Sequence, residues 1–313
     1  MLEAVVEQRE QGRLRLTLRN EDGRYAASAA PVALEPGGEL RIEPGYRTAE
    51  GIETSEGPRF WIAAVRRRRS GGVATVEVDA VDGLGLIEAW VAPEQLVWEA
   101  GERSAAQILA AIAQRAGLGV AGRGASAESA ALRPAFTVRA GERGATAVRR
   151  LLRALPDRLR SSGRQLLLSE PARGAAAGYA YGREHAILAH AIEAGRPAAG
   201  WARVFGSGVF AEATDEAALA GGAGPVIAVD ENLGAQDRVE ARAGTLLRQS
   251  RLAVDRGELL VRPNVAQEPD DIVAVTDAAT GLDAVPFRVA GLRLRFARGK
   301  RPRYEQTLIL GEV

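Results

Sequence analysis

The sequence predicts a mainly β protein with an α+β insert, in which two related β-barrel modules accompany a small α/β domain. Apolar and polar residues alternate near both ends of the chain, helical periodicity dominates the middle, and motifs near the start return near the end. We expect a first module over residues 1–98, the insert over 99–178, and a second module with one helix over 179–313.

The first module follows a period of two. Leu14, Leu16 and Leu18 alternate with Arg and Thr, and residues 73–81 alternate again, which is typical of half-buried strands. Residues 20–23, Asn-Glu-Asp-Gly, predict a turn between strands. We therefore expect an all-β region, a small barrel or sandwich.

The insert contains a second, shorter repeat. Ala-Gly-Glu-Arg occurs at residues 100–103 and again at 140–143, each time after a short β-like run and before a helical segment. The first helix is predicted over residues 104–116, with Ser104 as N-cap and Gly117 as its stop. The second helix is predicted over residues 146–155, and a strand at residues 165–168 closes the insert.

Strands return after the Gly- and Ala-rich residues 171–178. We predict a helix over residues 235–249 and a surface loop over 217–225. Strands are predicted over the following segments: residues 186–189, 201–206, 226–229, 251–254 and 258–261.

The duplication of the ends predicts an assembly role. Glu39 corresponds to Asp271, 232 positions later, and Phe60 to Phe287, 227 positions later, as expected for a repeat with one shortened loop. Two similar β-modules in one subunit let an n-fold ring present 2n nearly equivalent faces. Each module also ends in a basic hairpin tip, for which we weigh partner contact against a solvated tip that discourages edge pairing. These candidate partner-contact residues are Arg66, Arg67, Arg68, Arg69, Arg298, Lys300, Arg301 and Arg303.

Composition narrows the function. The 313 residues carry a net charge of only +1, which argues against a dedicated nucleic-acid binder, and the absence of Cys excludes disulfides and thiolate metal sites. The N-terminus has no signal-peptide pattern and no apolar run reaches the length of a membrane span, so synthesis in a cytoplasm is expected.

Residues that could support catalysis are few. His185 and His190 have no nearby carboxylate pattern in the sequence, and the Gly-x-Gly-x-x-Gly match at residues 117–122 follows a helix, where a C-cap and loop are expected instead of a nucleotide site. We expect no catalytic residue, no metal and no cofactor.

Two acidic pairs remain as an enzymatic alternative. Asp79 with Asp82, and Asp270 with Asp271, stand at predicted strand ends, where turn and capping roles are the usual ones. The alternative to a structural protein is a cell-wall-degrading enzyme, a glycosidase or peptidase that uses such carboxylates. A secreted binding module is a third hypothesis, but an aromatic content of 5% disfavours sugar-stacking platforms.

The order of these motifs resembles that of phage tail baseplate hub and tail-tip hub proteins, of the late control protein D type, and of the hubs of contractile injection systems. The resemblance covers roughly residues 13–313. It rests on LTLRNEDGRY, LEPGGELRIEPGY and FWIAAV near the start, and on WEAGERSAAQIL, YAYGREH, VDENLGAQDRVEARAGTLLRQSRL and FRVAGLRLRF after them.

The resemblance implies a non-enzymatic structural protein of the virion tail, a homotrimer whose six barrels match the sixfold tail tube above a threefold spike or fibre. Its partners would be its own copies, the tail tube or distal tail protein, a tape-measure protein, and the spike or fibre, with DNA passing through the lumen without specific binding. With this resemblance, the enzymatic alternative becomes a tail-associated cell-wall-degrading enzyme, a glycosidase or peptidase.

Three questions stay open at the level of sequence. The parent particle is a contractile phage, a non-contractile phage, a gene-transfer agent or an injection system. The basic tips face either the lumen or a partner. Relatives carry a further strand region before LTLRN, so the first barrel is completed differently, truncated, or completed by a neighbour.

Overall fold

The computed structural model describes residues 2–25, 34–172, 174–193 and 199–313 of the chain. The protein is mainly β, with 43% of its residues in strands and 19% in helices, as the sequence predicts. In β2 the buried Leu14 and Leu16 alternate with exposed arginines, and Gly71 and Gly72, both with positive φ, form the tight turn between β6 and β7. The strands of the first part are β1 Glu3–Gln8, β2 Gly12–Arg19, β3 Glu39–Arg41, β4 Gly45–Arg47, β5 Ile52–Thr54, β6 Arg59–Ser70 and β7 Val73–Val81.

The middle part is an α+β unit around its own apolar core, which includes Ile108, Ile112, Leu151 and Leu166. Its elements are α1 Gly83–Ala89, β8 Leu96–Trp98, α2 Ala105–Arg115, β9 Gly119–Gly122, α3 Ala127–Ala131, β10 Phe136–Val138, α4 Gly144–Leu152, β11 Arg158–Ser162 and β12 Gln165–Ser169.

The Ala-Gly-Glu-Arg repeat is a repeated strand-turn-helix unit, as predicted. The two strands that precede it, β8 and β10, pair with each other antiparallel. In both turns the glycine has a left-handed φ, +86° at Gly101 and +79° at Gly141. The following glutamates, Glu102 and Glu142, accept a hydrogen bond from the backbone N–H three residues before them, at 3.1 and 2.9 Å.

The strands of the last part belong to two different sheets. Three strands form a small sheet in the order β16-β15-β17, and α6 packs on it through Val239 and Ala243 against Val204. The remaining strands belong to the large sheet. The elements of this part are β13 Tyr179–Tyr181, β14 Ile187–Ile192, β15 Trp201–Phe205, β16 Phe210–Thr214, α5 Glu216–Ala220, β17 Pro225–Val229, α6 Gln236–Leu252, β18 Asp255–Val261, β19 Ile272–Asp277, β20 Leu282–Ala297 and β21 Arg303–Gly311.

One 11-stranded sheet joins both ends of the chain. Its order is β14-β18-β21-β20-β1-β2-β7-β6-β3, with β19 on the same side of β20 as β1 and with β13 beyond β19. The sheets are not closed barrels, so the two predicted barrel modules are not confirmed. The physical reason is the pairing of β1 with β20, which joins the two halves edge to edge instead of letting each close on itself.

The two halves of this sheet nevertheless repeat one strand order. The N-terminal half runs β1-β2-β7-β6-β3 and the C-terminal half runs β14-β18-β21-β20-β19. If the five strands of each half are numbered one to five along the chain, both halves have the spatial order 1-2-5-4-3. A register irregularity lies at Ile62/Ala64 in β6 and at Val289/Gly291 in β20, again 227 positions apart. The predicted correspondence of Phe60 with Phe287 fits this register, whereas Glu39 corresponds to Ile272, one position beyond the predicted Asp271.

Several predicted elements are wrong in detail. Residues 251 and 252 continue α6, and the strand begins at Asp255. Residues 216–220 are a helix, capped by the Asp215 side chain, where a loop was expected. Gly117 does end α2, but residues 119–122 then form a parallel strand beside β12.

Candidate assembly edges

Strands β6 and β14 of the large sheet each have an edge without a partner strand within the described residues. The β6 edge, the side of residues 63–70 that faces away from β7, has β3 only at its beginning, along residues 59–61. The β14 edge is the side of residues 189–193 that faces away from β18. Unpaired strand edges present free N–H and C=O groups and are templates for strand addition.

Four of the predicted contact residues lie along the β6 edge. Arg66 to Arg69 are all exposed and belong to the strand, not to the turn that follows it. Arg66 forms an ion pair with Asp79, and Arg68 forms one with Glu77 at 3.2 Å, both on β7. Within the described part of the chain Arg69 has no ion-pair partner, while Arg67 donates to the carbonyl of Tyr25 at 3.3 Å.

The charge of this edge is partly compensated by Asp79. Burial raises the pKa of Asp79, but hydrogen bonds from Arg15 and Arg66 outweigh burial, and the net pKa lies below its ordinary value. Asp79 is therefore ionised at neutral pH and holds Arg66 on the outer face of the sheet.

The other four predicted residues lie at the turn between β20 and β21. All are exposed; Arg303 pairs with Glu305 at 3.2 Å, and the backbone N–H of Arg298 donates to the carbonyl of Leu2 at 2.8 Å. They are not the structural counterparts of Arg66 to Arg69. The shared offset of 227 positions makes residues 293–296 of β20 the structural equivalents of Arg66 to Arg69 of β6.

The structure brings both basic groups to the same end of the sheet. The backbone N–H of Arg298 donates a hydrogen bond to Leu2, just before β1, so the β20–β21 turn lies beside the start of β1. The N–H of Asn20, just after β2, donates to the carbonyl of Ala74 at the start of β7, so the β6–β7 turn lies at the same end. With β1 and β2 between them, the two hairpins are about 15 Å apart at ordinary strand spacing. The insert lies at the opposite end, where the N–H of Gly83 donates to the hydroxyl of Ser161.

The junction between the halves was not predicted, and it shows how two modules join. β1 pairs antiparallel with residues 292–297 of β20, so that Glu7 lies opposite Arg293 and Val5 lies opposite Arg295. On the outer face Arg293 pairs with Glu7 at 3.3 Å, and Arg295 with Glu3 at 3.0 Å.

The inner face of the junction is apolar. Ala4 and Val6 of β1 are buried in the core of the N-terminal half, with Leu294 and Phe296 of β20 packed against that core. The alternation of Leu and Arg at residues 292–296 was the available sequence signal for this strand.

A hairpin makes a second connection between the halves. Tyr46, in the β4–β5 hairpin, packs edge-on against Tyr304 of β21, with ring centroids 5.2 Å apart, and its hydroxyl donates to the carbonyl of Pro263. The Tyr304 hydroxyl in turn accepts from the N–H of Gly45 at 3.1 Å.

The acidic pairs weighed for catalysis have structural partners. Asp82 caps α1 and accepts from the N–H groups of Gly12 and Gly85 at 2.8 and 3.1 Å, and burial raises its pKa to about 6 despite these hydrogen bonds. Asp271 accepts from the side chain of Gln267 and the N–H of Glu268.

Asp270 connects the insert to the C-terminal half. It pairs with Arg158 and Arg160 of β11 at 3.1 and 2.8 Å. Burial raises its pKa, but the hydrogen bond from Arg160 and the charges of Arg160, Arg158 and Arg288 bring the net pKa below its ordinary value.

Neither histidine takes part in a metal cluster. His190 Nε2 lies 2.7 Å from an Asp277 carboxylate oxygen, and this hydrogen bond lowers the pKa of Asp277, while His185 packs against the Tyr181 ring. In the described ranges no group of three or more His, Cys, Asp and Glu side chains is placed to hold a metal ion. No described helix is long and apolar enough to cross a membrane.

No protein-family model and no curated protein matches the sequence. Solved structures do match the fold over nearly the whole chain. The 43 kDa tail protein of prophage MuSo2 from Shewanella oneidensis has a TM-score of 0.68 at 14% identity, covering 99% of this chain and 94% of its own. The tail protein from Neisseria meningitidis MC58 has the same TM-score and identity, covering 99% and 91%.

A more distant match extends this fold beyond tail proteins. The c3393 protein of E. coli, described as a component of the type VI secretion system with structural similarity to the T4 bacteriophage tail proteins gp27 and gp5, has a TM-score of 0.55 at 14% identity. It covers 100% of this chain and 73% of its own. At these identities the likeness establishes the fold: this chain has the architecture of phage tail proteins and of a related secretion-system component.

Proposed function

We propose that this protein is a structural subunit of a virion tail or related injection apparatus, a homotrimeric baseplate or tail-tip hub that adapts a sixfold tail tube to a threefold spike or fibre. The observation that carries the proposal is the repeated strand order of the two sheet halves. Three chains with two such halves each present six nearly equivalent units on one side, while the chain as a whole repeats only three times.

The comparisons support the tail role, because the matching structures are tail proteins and a secretion-system component. They are also consistent with a non-enzymatic role. We assign the sixfold face to the two sheet halves and propose that residues 1–98, 99–178 and 179–313 act as first module, insert and second module.

We further propose that the basic groups at the shared end of the sheet contact the tail tube or another tail protein. A tube or distal tail protein above the ring, a spike or fibre below it, and a tape-measure protein and DNA in the lumen are the partners that such a hub requires. Arg69, beside the turn after β6, and Arg298 mark the two halves at this end, so one trimer would present six basic hairpins to the tube.

Threefold assembly is the direct test. We expect the purified protein, or the particle that contains it, to give a mass three times that of one chain by mass photometry, and threefold averages by cryo-electron microscopy. Sixfold pseudosymmetry should appear at low resolution in the layer formed by the large sheets. A monomer in the assembled particle, or a ring of another order, would refute the proposal.

A further inference from the structure

We propose that neighbouring subunits join by strand addition, the β14 edge of one chain pairing antiparallel with the β6 edge of the next, in the register that joins β1 to β20 within each chain. This inference rests on the proposed ring assembly and names the surface that builds it.

The first step is the equivalence of strands. In the repeated order, β1 corresponds to β14 and β6 corresponds to β20. Inside the chain β1 pairs with β20. Their counterparts, β14 and β6, have no partner on the matching edges among the described residues. The chain thus contains one completed junction and the two separated sides of a second one.

The second step is the distance between the two open edges. In the sheet order six strands stand between β14 and β6, so the two edges lie at opposite ends of the sheet. At ordinary strand spacing these seven steps correspond to about 34 Å measured along the sheet. Because the open edges differ from each other, their union is head-to-tail, and head-to-tail contacts close into rings when the rotation permits.

The third step is register. Val6 lies opposite Leu14 of β2, and Ile192 lies opposite Gly257 of β18. Leu14 and Gly257 are equivalent, because the strands next to them connect them to Ile62 and Val289, which are 227 positions apart. Glu7 and Glu193, the residues that follow Val6 and Ile192, are therefore equivalent. The offset of 227 positions makes Arg293 equivalent to Arg66. The internal ion pair of Glu7 with Arg293 therefore predicts an ion pair of Glu193 with Arg66 of the neighbouring chain.

The rest of the pairing follows from that anchor. Ala191 would lie opposite Arg68, as Val5 lies opposite Arg295 within the chain. Ala189, Ala191 and Glu193 are all exposed, and Arg66 and Arg68 point to the same outer face as their internal counterparts. On this outer face the β14 residues opposite Arg66 and Arg68 are Glu193 and Ala191, and neither is large enough to obstruct the pairing.

The inner faces of the two junctions differ in one informative way. At the internal junction the partly buried Leu294 and Phe296 pack against the core of the N-terminal half, but their counterparts on β6 are Arg67 and Arg69. An apolar face suits a junction that forms during folding. A charged face keeps the free subunit soluble and leaves an interface that is polar, like those between separately folded partners.

Cysteine cross-linking tests the register. The chain has no native Cys, so the R68C/A191C double variant places the only two thiols on residues predicted to face each other across the interface. On mild oxidation we expect covalent dimers and trimers on non-reducing gels. The matched control is R67C/A191C, in which the first thiol moves one residue and so to the opposite face of the sheet.

The outcomes separate the two proposals. If the wild-type protein is trimeric but R68C/A191C cross-links no faster than R67C/A191C, this interface is wrong while the hub assignment stands. If the wild-type protein forms no trimer, the hub assignment fails together with the interface.

Charge reversal gives an independent measurement. R66E and E193R should each weaken trimer association about tenfold or more, because each places like charges side by side, and the R66E/E193R combination should restore most of it. The control is R15E. Arg15 forms the second ion pair of Asp79, but it lies on β2, away from both edges. Equal weakening by R15E, or no restoration in the combined variant, would overturn the register.

Discussion

Asp82 shows how a buried carboxylate can make stability depend on pH. Its side chain is 7% exposed and satisfies the N–H groups of Gly12 and Gly85, so that it fixes the start of α1 to the turn between β1 and β2. Because burial raises its pKa from 3.8 to about 6, the folded state binds a proton more readily than the unfolded state between these values.

The sign of the effect follows from that difference. As pH falls from 7 to 4.5, the wild-type protein should gain about 2 kcal/mol of unfolding free energy relative to D82N, whose amide does not titrate. Urea unfolding of both proteins at fixed concentration over this range measures the difference.

The control for this prediction has the opposite sign. The pKa of Asp79 is lowered, so the wild-type advantage over D79N should shrink as pH falls through the acid range. Parallel pH profiles for the wild-type protein and D82N would contradict the assignment of Asp82.

At the scale of elements, α2 depends on its first turn. Ser104 accepts from the N–H of Gln107 at 3.3 Å, and the Gln107 side chain accepts from the N–H of Ser104 at 2.9 Å, which is a capping box. α4, the equivalent helix of the second strand-turn-helix unit, has Arg143 at the same position and no side-chain cap.

The two helices therefore provide a matched pair. S104A should lower the unfolding free energy by about 1 kcal/mol, because the N–H of Gln107 loses its acceptor and only half of the capping box remains. R143A should change it by less than about 0.5 kcal/mol, because its contact with Glu88 is exposed. Denaturant midpoints of the two variants measure the contrast, and equal losses would contradict the role of the box.

The local elements of the insert were predictable because their signals are local. Ser104, the two glycines of the repeated turn and the apolar spacing of α2 act over a few residues. The strand β1 escaped prediction, although Ala4 and Val6 alternate with glutamate and valine, because its position depends on residues nearly 300 positions later. The helix end at 252 was missed because the local sequence suits a strand as well as a helix.

At the scale of the whole molecule, one ion cluster holds the insert against the C-terminal half. D270N keeps a residue that tolerates the left-handed φ of +75° but removes the charge that faces Arg158 and Arg160. We expect a loss of about 3 kcal/mol of unfolding free energy, since two partly buried guanidinium groups lose their partner.

The matched control for the cluster is D283N. Asp283 also pairs with an arginine, Arg183, at 2.8 Å, but its side chain is 85% exposed, so the change should cost less than about 0.5 kcal/mol. Equal, small effects of D270N and D283N in urea unfolding would mean that the cluster does not hold the insert.

The duplication was predictable from sequence, whereas the way in which its copies meet was not. Motif order and the offset of 227 positions are carried by single segments such as those around Phe60 and Phe287. The open sheet arises from a pairing between the first strand and the next-to-last strand, and no local pattern specifies such a partner. The predicted barrels are not confirmed for this reason, and the match of Arg293 and Arg295 of β20 to Arg66 and Arg68 becomes visible only in the strand register.

The long strand β20 has a mechanical consequence. One side of its sixteen residues binds β19 and then β1, so a single backbone serves as the spine of both repeats. Bending one repeat against the other would break main-chain hydrogen bonds along that spine, which makes the angle between them a fixed property of the folded monomer. The angle between the two repeats is therefore already present in a single chain. In a ring built from copies of this chain, that angle would set the curvature and so the diameter.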